Sequence, residues 1–140
     1  MQVVLNLRER ELEERQMEMA KILAALNEQK AKLQSIFAAQ EQNTLTLETL
    51  STSDNIDIAQ IEMHRDYGMK LITMAKNQER IIQNTESILQ KKQQEVAEAH
   101  KKVEILKKLK EKQEKEYYQE FLHAEAKEID DITSARFRLQ

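Results

Sequence analysis

The side chains best suited to metal chemistry lie near the carboxyl end, where Glu120 and His123 form a Glu-x-x-His step. On a helix this spacing places both side chains on one face, as in carboxylate-bridged di-iron bundles. Such a site needs two of these steps and two further Glu residues on facing helices. Since the chain contains one step, we interpret Glu120 and His123 as surface residues and predict no metal site.

Other candidates for chemistry are few. His64 and His100 have no ligand partner at helical spacing beyond ordinary Glu neighbours, and a helix directs the adjacent carboxylates Asp130 and Asp131 apart. A chain with one Gly cannot build a glycine-rich phosphate loop, and the lack of Cys excludes disulfides and thiolate metal sites. We therefore predict a protein that is not an enzyme and that binds no cofactor.

The elements that carry these residues can be inferred from composition. Among 140 residues, 34% are charged and 4% aromatic, with one Gly and no Pro. Because turns need Gly and Pro, such a chain has few turns, which disfavours a β-sandwich or an α/β domain. Uncharged stretches such as SIFAAQ fall far short of the roughly 20 apolar residues of a membrane span, so we expect a soluble, intracellular protein without membrane insertion.

The charge pattern favours protein partners over nucleic acid. The net charge is −3, and the seven Lys residues within 101–115 are offset by three Glu, so we interpret this run as a solvated helical face. Residues 116–131 then carry six carboxylates and one Lys. A basic block followed by an acidic one is typical of a surface that meets a charged protein.

Apolar residues recur every seven positions in both halves of the chain, which is the coiled-coil pattern. The first half has Leu5, Leu12, Met19, Leu26 and Leu33, with Ile22 and Ile36 between them. The second half has Ala75, Ile82, Leu89, Val96 and Val103, joined by Ala99 and Leu106. This spacing predicts helices rather than a disordered chain.

The pattern stops between Glu41 and Asp57, a segment rich in Thr, Ser, Asn and Asp. Such side chains compete for backbone hydrogen bonds, and those of Ser51, Ser53, Asp54 or Asp57 could each cap a new helix. We predict one domain over 1–140, with helix 1 at about 1–50, a turn at about 51–57 and helix 2 at about 58–137. The fold class is all-α: an antiparallel coiled-coil hairpin, expected to be monomeric. The alternative is one continuous helix in a dimeric rod.

The second helix is longer than the first, so residues 108–140 are predicted to form a helical overhang of about 50 Å. Four of the six aromatic residues lie in this segment, namely Tyr117, Tyr118, Phe121 and Phe137. With Leu122, Ile129 and Ile132 they make an apolar stripe that nothing else in the chain covers. An uncovered stripe indicates an interaction surface.

The two ends carry a resemblance to a known family. The segments that carry it are VVLNLRERELEERQ at 3–16, Val103-Glu104-x-Leu106-Lys107-x-x-Lys110-Glu111-Lys112, Glu116-Tyr117, and Glu125-x-Lys127-Glu128-x-Asp130-Asp131-Ile132-x-x-x-Arg136-Phe137. This pattern resembles the flagellar type III export protein FliJ family. The resemblance implies an antiparallel coiled coil, similar to the central stalk of rotary ATPases, in the bacterial flagellar export apparatus.

The resemblance also implies partners. These are the export ATPase ring, the cytoplasmic domain of the membrane export gate and the export chaperones, at the cytoplasmic face of the membrane apparatus. For the ATPase we predict contacts by Tyr117, Tyr118, Phe121, Leu122, Glu125, Lys127, Ile129, Asp130, Asp131, Arg136 and Phe137. For the gate we predict His64, Tyr67 and Leu71. A stalk of a virulence-type secretion system and a structural dimer without an ATPase partner are the alternatives.

Overall fold

The chain forms two α-helices, α1 (Gln2–Thr52) and α2 (Ile58–Leu139), which pack against each other. The structure is a computed structural model that describes residues 1–139. No strand occurs within that range. The predicted fold class, an all-α helical hairpin, is therefore confirmed.

The contacts divide the chain into two compact units. The turn unit comprises Arg15–Val96 and contains the end of α1, the connection and the start of α2. The terminal unit comprises Met1–Glu14 together with the described part of α2 from Ala97 onward. That residues 1–140 behave as one domain stays a prediction, and Gln140 lies outside the described residues.

The core of the turn unit is a seam of apolar side chains between the helices. Ile36, Leu71 and Ala75 form a buried cluster, against which Leu33 and Ala39 pack. Leu26 and Ile82 are also buried. All the residues of the two predicted seven-residue series are buried or half-buried, which confirms that the repeat marks the packed face of each helix.

The connection between the helices spans residues 53–57. The Thr-rich end of α1 is helical, and the hydroxyls of Thr44, Thr46, Thr49 and Thr52 each donate to a carbonyl four residues earlier, which leaves the backbone hydrogen bonds of the helix in place. Among the four candidate caps, Asp57 is the one that acts: its Oδ1 accepts from the backbone N–H of Ala59 at 3.1 Å and of Gln60 at 3.4 Å.

The terminal unit is held by a shorter length of seam. Leu5 and Val103 are buried, and Lys110 Nζ donates to Gln2 Oε1 at the first residue of α1. Beyond Lys110, every side chain from 111 to 138 is exposed. The overhang predicted to start at residue 108 therefore starts three residues later, because Gln2 reaches Lys110. We call residues 111–138 the overhang.

Candidate functional site

The overhang displays large apolar side chains to solvent. Tyr117 is 74% exposed and Phe137 81% exposed, and the other apolar residues predicted to bind the ATPase are all exposed as well. These are Tyr118, Phe121, Leu122 and Ile129, with Ile132 beside them. The structure therefore places the whole predicted apolar set on one uncovered stretch of helix.

Four of these residues share one face of α2. Leu122, Ile129 and Ile132 follow Tyr118 at steps of four, seven and three residues, so they line up along the helix. Glu125 and Arg136 occupy positions in the same line and interrupt it with charge. Such a line has the spacing of a helix face that packs against another helix or a groove.

The overhang stripe, as we name the line of Tyr118, Leu122, Ile129 and Ile132, does not continue the seam of the hairpin. In the terminal unit the seam runs through Val103, Leu106 and Lys110, which are buried or half-buried. Its seven-residue continuation would use Gln113, Tyr117, Glu120 and Ala124, of which only Tyr117 is a large apolar residue. The stripe begins one residue later, at Tyr118, and therefore lies about 100° around the helix from the seam. A mere prolongation of α1 would meet the wrong face.

Charged residues also differ between the overhang and the paired part of α2. The predicted contacts Glu125, Lys127, Asp130, Asp131 and Arg136 are all exposed, and within the described residues none of them forms a salt bridge. The hairpin instead joins its helices by ion pairs, with Lys92 Nζ 3.0 Å from Glu18 Oε2 and Arg15 Nη1 3.7 Å from Glu95 Oε2. The overhang is thus an acidic surface whose charges have no partner within residues 1–139.

The Glu-x-x-His step lies on this same surface. Glu120 and His123 are exposed on the overhang, and in the described part of the chain no group of three His, Cys, Asp or Glu residues has the geometry of a metal site. The two side chains line only an open surface depression on one face of the helix, together with Glu116 and Gln119.

The structure separates the three residues predicted to contact the gate. Tyr67 is 46% exposed, whereas His64 is half-buried and bonded to Asn43 across the seam. Leu71 is only 2% exposed and belongs to the core cluster. Its place could have been found from the sequence, since Leu71 precedes Leu106 by five seven-residue repeats. Of the three, only Tyr67 can meet a partner while the hairpin stays closed.

A second exposed line on α2 escaped the sequence reasoning. Met74, Ile81 and Ile88 follow Tyr67 at steps of seven residues, and all of them are exposed by nearly half. They flank the seam, each one residue before a seam position (Gly68, Ala75, Ile82 and Leu89). Their seven-residue spacing is present in the sequence, but it runs directly beside the stronger seam series. We name Tyr67, Met74, Ile81 and Ile88 the flank stripe.

The comparison with protein families decides the assignment. A family model described as "Flagellar FliJ protein" matches residues 1–140, the entire chain. The chain belongs to the FliJ family. Neither a curated protein nor a solved structure matches it.

FliJ proteins are non-catalytic components of the flagellar type III protein export apparatus, so this chain is a component of that apparatus. The family suggested by the terminal strings is therefore confirmed. Within residues 1–139, neither helix of this FliJ-family chain contains a stretch long and apolar enough to cross a membrane.

Proposed function

We propose that this FliJ-family chain is a stalk-like coiled coil that binds the export ATPase ring through its overhang. The observation that carries the proposal is that residues 111–138 are helical, exposed throughout and lined with apolar side chains off the hairpin seam. The core of the fold does not need these side chains, because they pack against no other part of the described chain.

The energetic argument concerns the cost of leaving the stripe uncovered. Burying a large apolar side chain contributes up to about 1.5–3 kcal/mol relative to leaving it in water. Tyr118, Leu122 and Ile132 each forgo much of that contribution in the free protein. A ring lumen that covers them gains affinity, and a few aromatic anchors are enough to dominate such an interface.

The acidic residues would act mainly on the rate of encounter. The acidic residues Glu125, Glu128, Asp130 and Asp131 lie along the C-terminal half of the stripe, with Lys127 between them and Arg136 after them. Opposite charge on the ring would steer this end inward, and rim charges of this kind change association rates more than affinity. Contacts interrupted by charge also suit a stalk that must exchange its contacts during turnover.

The gate is the second proposed partner, and the flank stripe is the proposed surface for it. Tyr67 keeps its predicted role as a gate contact, with Met74 and Ile81 as exposed neighbours. Leu71 and His64 would act indirectly, by holding the helices together. Through these two surfaces the protein would link the ATPase to the gate at the cytoplasmic face of the membrane and help to cycle export chaperones. It would take no direct part in catalysis.

The test is ATPase stimulation by two versions of the chain. The full chain should raise the hydrolysis rate of the purified export ATPase. A chain ended at Lys110 keeps every residue that is buried within 1–138, and so it should melt near the same temperature while losing the stimulation. Equal stimulation by both chains would show that the overhang is not the binding element.

Oligomeric state gives an independent check. In a dimeric rod a second copy would cover the stripe, whereas a free stalk should scatter light as a 16.5 kDa monomer in dilute solution. Cysteines introduced at positions 19 and 89 should then form a bridge within one chain. Bridges formed only between chains would contradict the hairpin monomer.

A further inference from the structure

One seam position of the turn unit holds a buried amide. Asn43 is 6% exposed and lies in the series that places Ile22 and Ile36 in the seam. Its Nδ2 donates to the main-chain carbonyl of His64 at 2.9 Å. Its Oδ1 lies 3.1 Å from His64 Nδ1, and since the amide oxygen only accepts, that ring nitrogen is the donor.

The only glycine of the chain lies against the same amide. A Cβ added at Gly68 would come within 3.0 Å of Asn43 Nδ2, closer than side chains normally approach. Gly68 has ordinary helical geometry, so its backbone conformation does not require glycine. The missing side chain leaves the space that the amide occupies. We call Asn43, His64 and Gly68 the polar layer.

We propose that the polar layer selects the register in which α1 and α2 pair. Seven-residue repeats alone permit the helices to slip by one heptad, because apolar residues then meet apolar residues again. A slip that lengthens the connection would bring Leu71 and Ala75 to the places of His64 and Gly68. Asn43 Oδ1 would lose its donor, and the methyl of Ala75 would compete with the amide for space.

A second buried amide supplies the matched control. Gln78 is 4% exposed and donates from Nε2 to the main-chain carbonyl of Gln29 at 2.9 Å. Every register offers a main-chain carbonyl at that place, so this bond does not discriminate between registers. Gln29 Oε1 is buried and has no hydrogen-bond partner, which shows that this pair lacks the reciprocal match of the polar layer.

Paired cysteines can report the register, because the chain contains no native Cys. L33C with A75C reports the observed register, since Leu33 packs on the cluster that includes Ala75. L33C with I82C reports the slipped one. Each full-length double variant is equilibrated in a glutathione buffer, and the equilibrium constant for the intramolecular disulfide is measured with and without N43L or Q78L.

The expected result is a shift that is specific to Asn43. N43L should raise the slipped disulfide relative to the observed one by about tenfold, because a buried acceptor no longer loses its donor on slipping. Q78L should leave the ratio within about twofold of the parent. G68A should act in the same direction as N43L in a chain that keeps Asn43.

Three outcomes would overturn the proposal. The first is an unchanged ratio in both N43L and G68A, and the second is an equal rise in N43L and Q78L, which would make any buried amide sufficient. The third is loss of both disulfides in N43L, since slipping exchanges one bridge for the other. Circular dichroism of each variant shows whether loss of both disulfides is accompanied by unfolding of the helices.

Discussion

Residues 58–110 and 111–138 lie on the same helix, α2, but have opposite surroundings. In the paired part, apolar residues such as Leu71 and Val103 are 2% exposed and lie against α1. In the overhang, residues of the same types, such as Leu122 and Ile129, remain open to water. The chain therefore carries two apolar patterns, of which only the first contributes to its own fold.

The difference separates residues needed for folding from residues available to a partner. Most helical stability in proteins comes from packing of an apolar face rather than from helix propensity. The paired part of α2 has that packing, whereas the overhang is held by its own backbone hydrogen bonds. A large apolar residue on the overhang thus stabilises the complex with a partner more than the free chain.

The largest expected effect comes from the same substitution made in both regions. Leu71→Ala should lower the free energy of unfolding by about 2–5 kcal/mol, because it opens a cavity in the core cluster. Leu122→Ala on the overhang should change it by less than about 0.5 kcal/mol. Urea unfolding followed by circular dichroism measures both. Similar losses in the two variants would remove the distinction between the regions.

Binding to the export ATPase, unlike stability, should depend on the overhang rather than on the paired part of α2. Replacing Tyr118, Leu122 and Ile132 together by Ala should weaken binding to the export ATPase by about 30-fold or more, as expected for anchors of an interface. The matched control is Ile105→Ala, since Ile105 is also well exposed on α2 but lies before the overhang. Calorimetry of each variant with the ATPase gives the affinities. A control variant that binds as weakly as the triple variant would contradict the assignment of the stripe.

Charge on the overhang should act on rate. Changing Glu125, Glu128, Asp130 and Asp131 to their amides should slow association with the ATPase about tenfold at low ionic strength. The difference should shrink at high salt because the interaction is screened. Stopped-flow mixing measures it. Neutralising four exposed carboxylates of α1 instead, Glu13, Glu14, Glu28 and Glu41, should leave the rate nearly unchanged.

The smallest effect concerns the ion pairs that join the helices in the turn unit. The hydrogen bond from Lys92 lowers the pKa of Glu18 below 4.5, and the bonds to Glu18 and Glu95 raise the pKa of Lys92 above 10.5. The contribution of Glu18 to the free energy of unfolding is therefore present above pH 4.5 and is lost as pH falls through the lowered pKa. The contribution of Lys92 to the free energy of unfolding is present below pH 10.5 and is lost as pH rises through the raised pKa.

Thermal melting against pH measures this contribution, which is small because both side chains are partly solvated. Glu18→Gln should reduce the fall in melting temperature on the acid side. The same change at Glu125, which has no cross-helix partner within residues 1–139, should leave the profile unaltered. An identical response of the two variants would show that the cross-helix pair contributes nothing.

The seam could be predicted from the sequence because its signal is repetitive. Leu26 and Ile82, for example, each belong to a series of apolar residues at seven-residue steps, and burial of both follows from that period. The existence of the overhang was predictable for a related reason: α1 is too short to pair with the end of α2. Period and helix length are both properties that a linear sequence contains.

The polar layer was not predictable in this way. Asn43 and His64 occupy seam positions, but a polar residue in a repeat usually marks the end of a packed face. Their burial follows only once the two helices are paired in one register, with Gly68 opposite the amide. Leu71 lies in the same seven-residue series as His64 and Gln78, and these polar neighbours obscure its spacing from Leu106.

The central claim is that the paired part of α2 maintains the fold while the overhang binds the export ATPase. Amide hydrogen exchange of the full chain, with and without the purified ATPase, tests it most directly. In the free protein, amides of 111–138 should exchange faster than the core amides around Leu71, because local opening of the overhang breaks no tertiary packing. Adding the ATPase should slow exchange in 111–138 and leave the core of the turn unit unchanged. Exchange in 111–138 that stays as fast with the ATPase as without it would contradict the account.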